Sequence, residues 1–178
     1  MPRPIQARID LAALRHNYLA AKKRVVAHSS SAKAWAVVKA DAYGHGLLRS
    51  AKALADIADG FALVEVDWAV ALREAGLRQP VFLLEGFFEP EDIAVCAEYD
   101  LTTSIHRLEQ LQMIRAAALP RPLPIYMKLN TGMNRLGFTA DELPAVLETL
   151  RQLPQVDLTL MTHFAEADGE RGIAWQQE

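Results

Sequence analysis

The sequence predicts an α/β protein on parallel strands, an incomplete (β/α)8 TIM-type barrel with about six strand–helix units present. Three observations point there. Short apolar runs alternate with helical patterns along the chain, which implies right-handed βαβ units and a parallel sheet. The loop after the first apolar run, 41-DAYGHG-46, lacks the glycine spacing that the phosphate loop of a doubly wound sheet would carry. Residues able to do chemistry (Lys39 and Tyr43, Glu85, His106, Lys128 through Arg135, His163) fall at the C-terminal ends of several strands, where barrel sites are built. A doubly wound sheet would fit the length of 178 residues, whereas a complete barrel takes about 250.

Taken in order, 5-IQARIDLAALRHNYLAAKKRVV-26 reads as a short extended piece and an amphipathic helix. Ala34 to Val38 form a nearly continuous apolar run with a β-branched end, as expected of a strand covered on both faces, and Lys39 ends it. A helix from Leu47 to Ile57 leads to a strand at 60–66. The next helix, 67–76, ends on Gly76 in the C-terminal glycine position. A strand at 81–86 follows. Pro90, Glu91 and Asp92 mark the N-terminus of a helix running to Tyr99, which feeds a strand at 101–106. Helices near 107–118 and 140–152 alternate with strands at 124–130 and 156–164. The chain stops at 173-IAWQQE-178 with no capping glycine or proline after it. The expectation is that a sixth helix has just begun and that two further strand–helix units are missing.

Composition narrows the classes. With 51% hydrophobic and 23% charged residues the chain reads as soluble and globular, large enough for one sizeable core and short for two ordinary domains. The net charge of -3 and the dispersed lysines and arginines give no basic stripe for nucleic acid or an anionic membrane. Cys96 is the single cysteine, which excludes an internal disulfide and a cysteine-based structural zinc site; it reads as a small half-buried hydrophobe on a helix. The start, with charges at Arg3, Arg8 and Asp10, has no apolar core for a signal peptide, and charged residues interrupt every later apolar segment before it could span a membrane. A cytoplasmic location is expected.

An ammonium group at the end of a buried strand is costly unless it is paired or neutral, so Lys39 asks for a salt bridge or for chemistry. The run 38-VKADAYGHG-46 resembles the pyridoxal-phosphate attachment motif of the alanine racemase family. Two further segments, 127-MKLNTGMNRLG-137 and 161-MTHFAEAD-168, fall in that family's order and spacing. The resemblance covers the whole chain and about the first half of the family's length; the rest of the barrel and a C-terminal β-rich domain have no counterpart in it.

The resemblance implies that Lys39 forms a Schiff base with pyridoxal 5'-phosphate and, once released, acts as a catalytic base. Apolar walls, for which Trp35, Val37 and Leu84 are candidates, would favour a neutral amine. Tyr43 matches the family's phosphate contact. Gly44 and Gly46 allow a tight loop, and His45 reads as structural. Arg135 is expected beside the cofactor's phenolic oxygen and the substrate carboxylate. Lys128 matches a lysine that many family members carbamylate, the alternatives being an exposed or a Glu-paired side chain. His163 matches a histidine supporting an arginine at the cofactor's pyridine nitrogen; that arginine has no counterpart within residues 1–178. No metal is implied.

The implied reaction interconverts L- and D-alanine with two bases, Lys39 on one face and, on the other, a tyrosine of the C-terminal domain delivered across a homodimer interface. It would supply D-alanine for peptidoglycan, and residues 1–178 alone are expected to be inactive. A non-catalytic pyridoxal-phosphate-binding barrel is the alternative. A barrel enzyme unrelated to that cofactor remains only if Lys39 is unreactive.

Overall fold

The computed structural model describes residues 4–177; Arg3, counted among the N-terminal charges, and Glu178 lie outside the described residues. Six strands, β1 (Trp35–Val37), β2 (Gly60–Leu63), β3 (Val81–Leu83), β4 (Leu101–Ile105), β5 (Leu123–Lys128) and β6 (Val156–Met161), form a sheet in the order β1-β2-β3-β4-β5-β6. A doubly wound sheet reverses its strand order at a switch point. This sheet runs in chain order without reversal, which removes that alternative and agrees with the barrel-type α/β class. The helices are α1 (Leu11–His28), α2 (Lys39–Tyr43), α3 (Leu47–Leu54), α4 (Val66–Glu74), α5 (Pro90–Glu98), α6 (Leu108–Ala116) and α7 (Leu143–Arg151). A 3₁₀ turn, Ala174–Gln176, stands where a further helix was expected to begin.

Several boundaries differ from the sequence reading. β2 stops at Leu63 because the backbone turns into α4 at Val66, with Glu65 in extended geometry before it and Asp67 in the first turn. β6 stops at Met161 rather than at 164. Lys39 does not end a strand: β1 closes at Val37, and Lys39 opens α2. Gly76 is left-handed (φ 85) at the end of α4, as its position implied, and Leu77 N–H closes the turn onto Leu72 carbonyl at 3.1 Å.

The chain divides into two compact units, one up to Val81 and one from Phe82 onward. In the first, β1 and β2 pair in parallel, Trp35 opposite Gly60 and Val37 opposite Ala62, over a core that includes Val38, Leu54, Phe61, Leu63 and Leu72. α1 buries no residue fully; Leu11, Leu14 and Tyr18 are half-buried, and polar contacts tie the helix down as well. Asp10 caps its N-terminus, accepting from Ala12 and Ala13 N–H at 2.9 and 3.0 Å. Lys22 donates to Asp59 at 2.6 Å and to Ile57 carbonyl at 3.0 Å, while the Tyr18 hydroxyl donates to Ala34 carbonyl at 2.7 Å.

In the second unit β5 is central, paired in parallel with β4 (Thr103 opposite Ile125) and with β6 (Lys128 opposite Met161). Phe87, Ile93, Leu111, Ile125 and Phe138 are fully buried in its core. α5 begins as its acids implied: the Asp92 carboxylate accepts from Phe88 and Glu89 N–H at 3.1 and 3.2 Å. β6 is exposed on both faces over most of its length, with Leu158 at 41% and Leu160 at 61%.

Candidate functional site

The first unit holds Lys39 and Tyr43. Between them Ala40, Asp41, Ala42 and Tyr43 have φ of 51, 55, 52 and 55°, and Gly44 follows at 81°, so α2 is a single left-handed turn. Left-handed geometry costs about 1–2 kcal/mol for each residue with a Cβ, hence about 4–8 kcal/mol for these four. Such a turn persists only where its surroundings determine it. Ala42 N–H donates to Val38 carbonyl (2.9 Å), Gly44 N–H to Ala40 carbonyl (3.1 Å) and Gly46 N–H to Asp41 carbonyl (2.8 Å). The Asp41 carboxylate accepts from Leu47 N–H at 2.6 Å, at the start of α3.

Residues 39 and 43 thus stand at the two ends of this turn, about one helical turn apart along the backbone. Lys39 is half-buried and Tyr43 is 61% exposed; neither the ammonium nor the phenol has a hydrogen-bond or ion-pair partner among the described residues. His45 is spent locally, its Nδ1 within 2.8 Å of Ala42 carbonyl. Of the expected apolar walls, Trp35 is half-buried and Val37 is 41% exposed.

The second unit holds Lys128, Arg135 and His163. Lys128 ends β5 and is 4% exposed, with no carboxylate among the ion pairs of the described residues. It is therefore neither exposed nor Glu-paired. Burial first, and then the Arg135 charge, hold its pKa below the usual lysine value. His106, at the end of β4, places Nε2 within 3.1 Å of Glu85 carbonyl. A carbonyl only accepts, so Nε2 carries the proton and Nδ1 is bare in the neutral ring. Burial lowers the His106 pKa, and the charges of Arg107 and Lys128 act in the same direction.

Arg135 is exposed on the loop that follows β5. Asn130 shapes that loop: its Oδ1 accepts from Gly132 N–H (3.2 Å) and Asn134 N–H (3.0 Å), and its Nδ2 donates to Asn134 Oδ1 (3.0 Å). The chain then returns to β5, where Phe138 N–H donates to Lys128 carbonyl and Asn130 N–H to Phe138 carbonyl, both at 2.9 Å. His163 lies just past β6, exposed; the Gln176 side chain donates to its carbonyl at 3.1 Å and to Thr131 carbonyl at 3.2 Å.

Sequence reasoning gave no role to Asp41 or Asn130, although both stand inside the quoted motifs. A cap is sought next to a helix start, and Asp41 acts six residues before Leu47. Asn130 carried a fair signal, an Asn opening a Gly-containing loop. Among the described residues no group of His, Cys, Asp and Glu is arranged for a metal ion, and no helix is long and apolar enough to cross a membrane.

Residues 9–178 match the family described as alanine racemase, N-terminal domain. An alanine racemase of Nitrosospira multiformis is 54% identical over 169 residues, covering 94% of this chain and 46% of the relative. One from Burkholderia mallei (strain SAVP1) is 48% identical over 177 residues, 99% of this chain and 48% of the relative. The crystal structure of biosynthetic alanine racemase from Pseudomonas aeruginosa superposes with a TM-score of 0.85 at 40% identity, over 94% of this chain and 47% of that one. Alanine racemase from Bacillus anthracis with bound L-Ala-P gives 0.82 at 32% identity, over 95% and 44%. The chain thus spans about half the length of the curated relatives it matches. Sequential parallel strands, the motif run on the left-handed turn and these matches lead to one assignment: the chain belongs to the alanine racemase family, an isomerase family, and corresponds to its N-terminal domain.

Proposed function

We propose that the chain is the N-terminal barrel portion, residues 1–178, of a pyridoxal-phosphate-dependent enzyme interconverting L- and D-alanine. The observation that carries this is the left-handed turn, which holds at its two ends an amine and a phenol without protein partners among the described residues. An amine able to bond an aldehyde and a phenol able to donate to phosphate suit that cofactor. When bound, pyridoxal phosphate would supply the electron sink that stabilises the carbanion left at the α-carbon.

This chain's residues then have separate tasks. Lys39 would hold the cofactor covalently and would take or return the α-proton on its own face. Tyr43 would donate to the phosphate. Arg135, exposed and planar, would serve the substrate carboxylate and the cofactor's phenolic oxygen. Lys128, buried beside that cation without a carboxylate, is held toward the neutral amine that carbamylation requires; the added negative charge would then pair with Arg135. His163 supports the group facing the pyridine nitrogen. The second base, the remaining barrel units and a C-terminal β domain belong to residues outside 1–178, and the whole enzyme is a cytoplasmic homodimer making D-alanine for peptidoglycan. Residues 1–178 alone exchange the α-proton slowly and do not racemise, and the exposed Leu158 and Leu160 of β6 favour their association.

The test is borohydride reduction with pyridoxal phosphate followed by peptide mapping. The label is expected on Lys39 within residues 34–46. A label confined to other lysines would remove the central claim.

A further inference from the structure

We propose that Asp41 is a positioning residue for Lys39 and Tyr43, acting as the clamp that keeps the turn between them left-handed; its functional part rests on the reading of Lys39 given above. Asp41 is bonded twice to the segment that follows. Its carbonyl accepts from Gly46 N–H at 2.8 Å and its carboxylate from Leu47 N–H at 2.6 Å. Leu47 is buried at 7% exposure and begins α3, and the residue before it, Gly46, has no side chain with which to cap. Without the Asp41 carboxylate that amide would have no partner.

The same two bonds fix where the turn must end. Residue 41 is tied to residues 46 and 47, so the intervening chain has to reverse within five residues, and Gly44 (φ 81) and Gly46 (φ 91) accept the reversal without strain. Ala40, Ala42 and Tyr43 do not; each would relax to a right-handed or extended conformation if the tie were cut. In extended chain, side chains alternate, and the fixed one-turn relation between residues 39 and 43 is lost. Aspartate suits the position on both counts, since it tolerates left-handed geometry better than other residues with a Cβ and carries a short acceptor.

The experiment compares the 178-residue chain with Asp41→Ala and Asp41→Asn, each also in an Ala40→Gly background. Ala40 is exposed, and glycine there removes part of the left-handed penalty without touching the core. Amide exchange is read at Gly46 and Leu47 without cofactor. Lys39's share of the total borohydride-fixed label at limiting pyridoxal phosphate is read against the chain's other lysines, which serve as internal control. Expected for Asp41→Ala are exchange at Leu47 faster by about tenfold or more, as for loss of one hydrogen bond to a charged group, and a fall in Lys39's share of label. Asp41→Asn, which keeps an acceptor oxygen, should retain both. Ala40→Gly should restore part of Lys39's share to Asp41→Ala.

Unchanged exchange at Gly46 and Leu47 in Asp41→Ala overturns the clamp. Faster exchange with an unchanged Lys39 share, or no restoration by Ala40→Gly, overturns the positioning role and leaves a helix cap only. If Asp41→Ala does not fold, the Asn variant and the glycine background carry the comparison: loss of Lys39 label in a folded Asp41→Asn overturns the proposal. Absence of label on Lys39 in the parent chain overturns the cofactor reading instead, while the exchange data still decide the clamp.

Discussion

Replacing Gly137 by alanine should break the return of the Arg135 loop onto β5, at a cost far above that of the same replacement at Gly44. Gly137 has φ 121, and a Cβ there would stand 2.7 Å from Asn130 N, 2.8 Å from Leu129 C and 3.1 Å from Leu129 O, all backbone atoms. Ordinary contact needs about 3.5 Å, so the two segments must part by roughly 0.7 Å. They are joined by the 2.9 Å bonds from Phe138 N–H to Lys128 carbonyl and from Asn130 N–H to Phe138 carbonyl. Stretched by that amount, neither remains a hydrogen bond. Two lost backbone bonds cost about 1–3 kcal/mol. The backbone strain adds about 1–3 kcal/mol. The sum, about 2–6 kcal/mol, is a large fraction of the 5–15 kcal/mol typical of a folded domain.

At Gly44 (φ 81) a Cβ meets nothing within 4 Å, which leaves only the left-handed penalty of about 1–2 kcal/mol. Urea unfolding followed by circular dichroism should move the midpoint by roughly 1–3 M for Gly137→Ala, taking a slope of about 2 kcal/mol per M. Gly44→Ala should move it by about 0.5–1 M on the same slope, and only Gly137→Ala should speed amide exchange at Asn130 and Phe138. A midpoint shift below about 1 M for Gly137→Ala, or unchanged exchange at those two amides, would refute the contact argument.

Arg135→Ala should leave the urea midpoint within about 0.5 kcal/mol of the parent, because the side chain is exposed, while impairing alanine turnover in the whole enzyme; equal losses of stability and turnover would count against its placement. Lys128 is depressed by burial and by Arg135 below the unfolded value near 10.5. Between those two values the unfolded chain binds more protons, so stability should rise with pH, be complete above the unfolded value, and be lost as pH falls through the folded one. Lys128→Met should flatten this dependence and raise the midpoint at neutral pH in bicarbonate-free buffer; a lower midpoint would reveal a partner that the neutral side chain misses. Burial pushes the Cys96 thiol up to about 12. It should resist disulfide reagents at pH 8 until urea unfolds the chain, and rapid labelling of the folded chain would contradict its burial.

Much of the fold follows from order along the chain. Alternation of apolar runs with helical patterns is local information, and a parallel connection allows one handedness, so six strands in sequence could be read from runs such as 60-GFALVEV-66 and 124-PIYMKLN-130, whose ends the structure then set at Leu63 and Lys128. The positions of Lys39 just past the first strand, of the tyrosine four residues on and of the arginine in the loop 131-TGMNRLG-137 after the fifth were legible too, because motif residues sit where loops leave strands. Tertiary structure decided what those residues experience. Ala40 to Tyr43 contain no glycine, and by propensity they belong in a right-handed helix or strand; the ties from Asp41 to residues 46 and 47 turn them left-handed. Lys128 could have been exposed, paired or buried alone; only the fold shows it 4% exposed at the end of a strand whose backbone is bonded to β6 and to Phe138. Propensity and pattern act over a few neighbours, whereas the hand of a turn or the desolvation of an ammonium depends on which distant atoms come to lie against it.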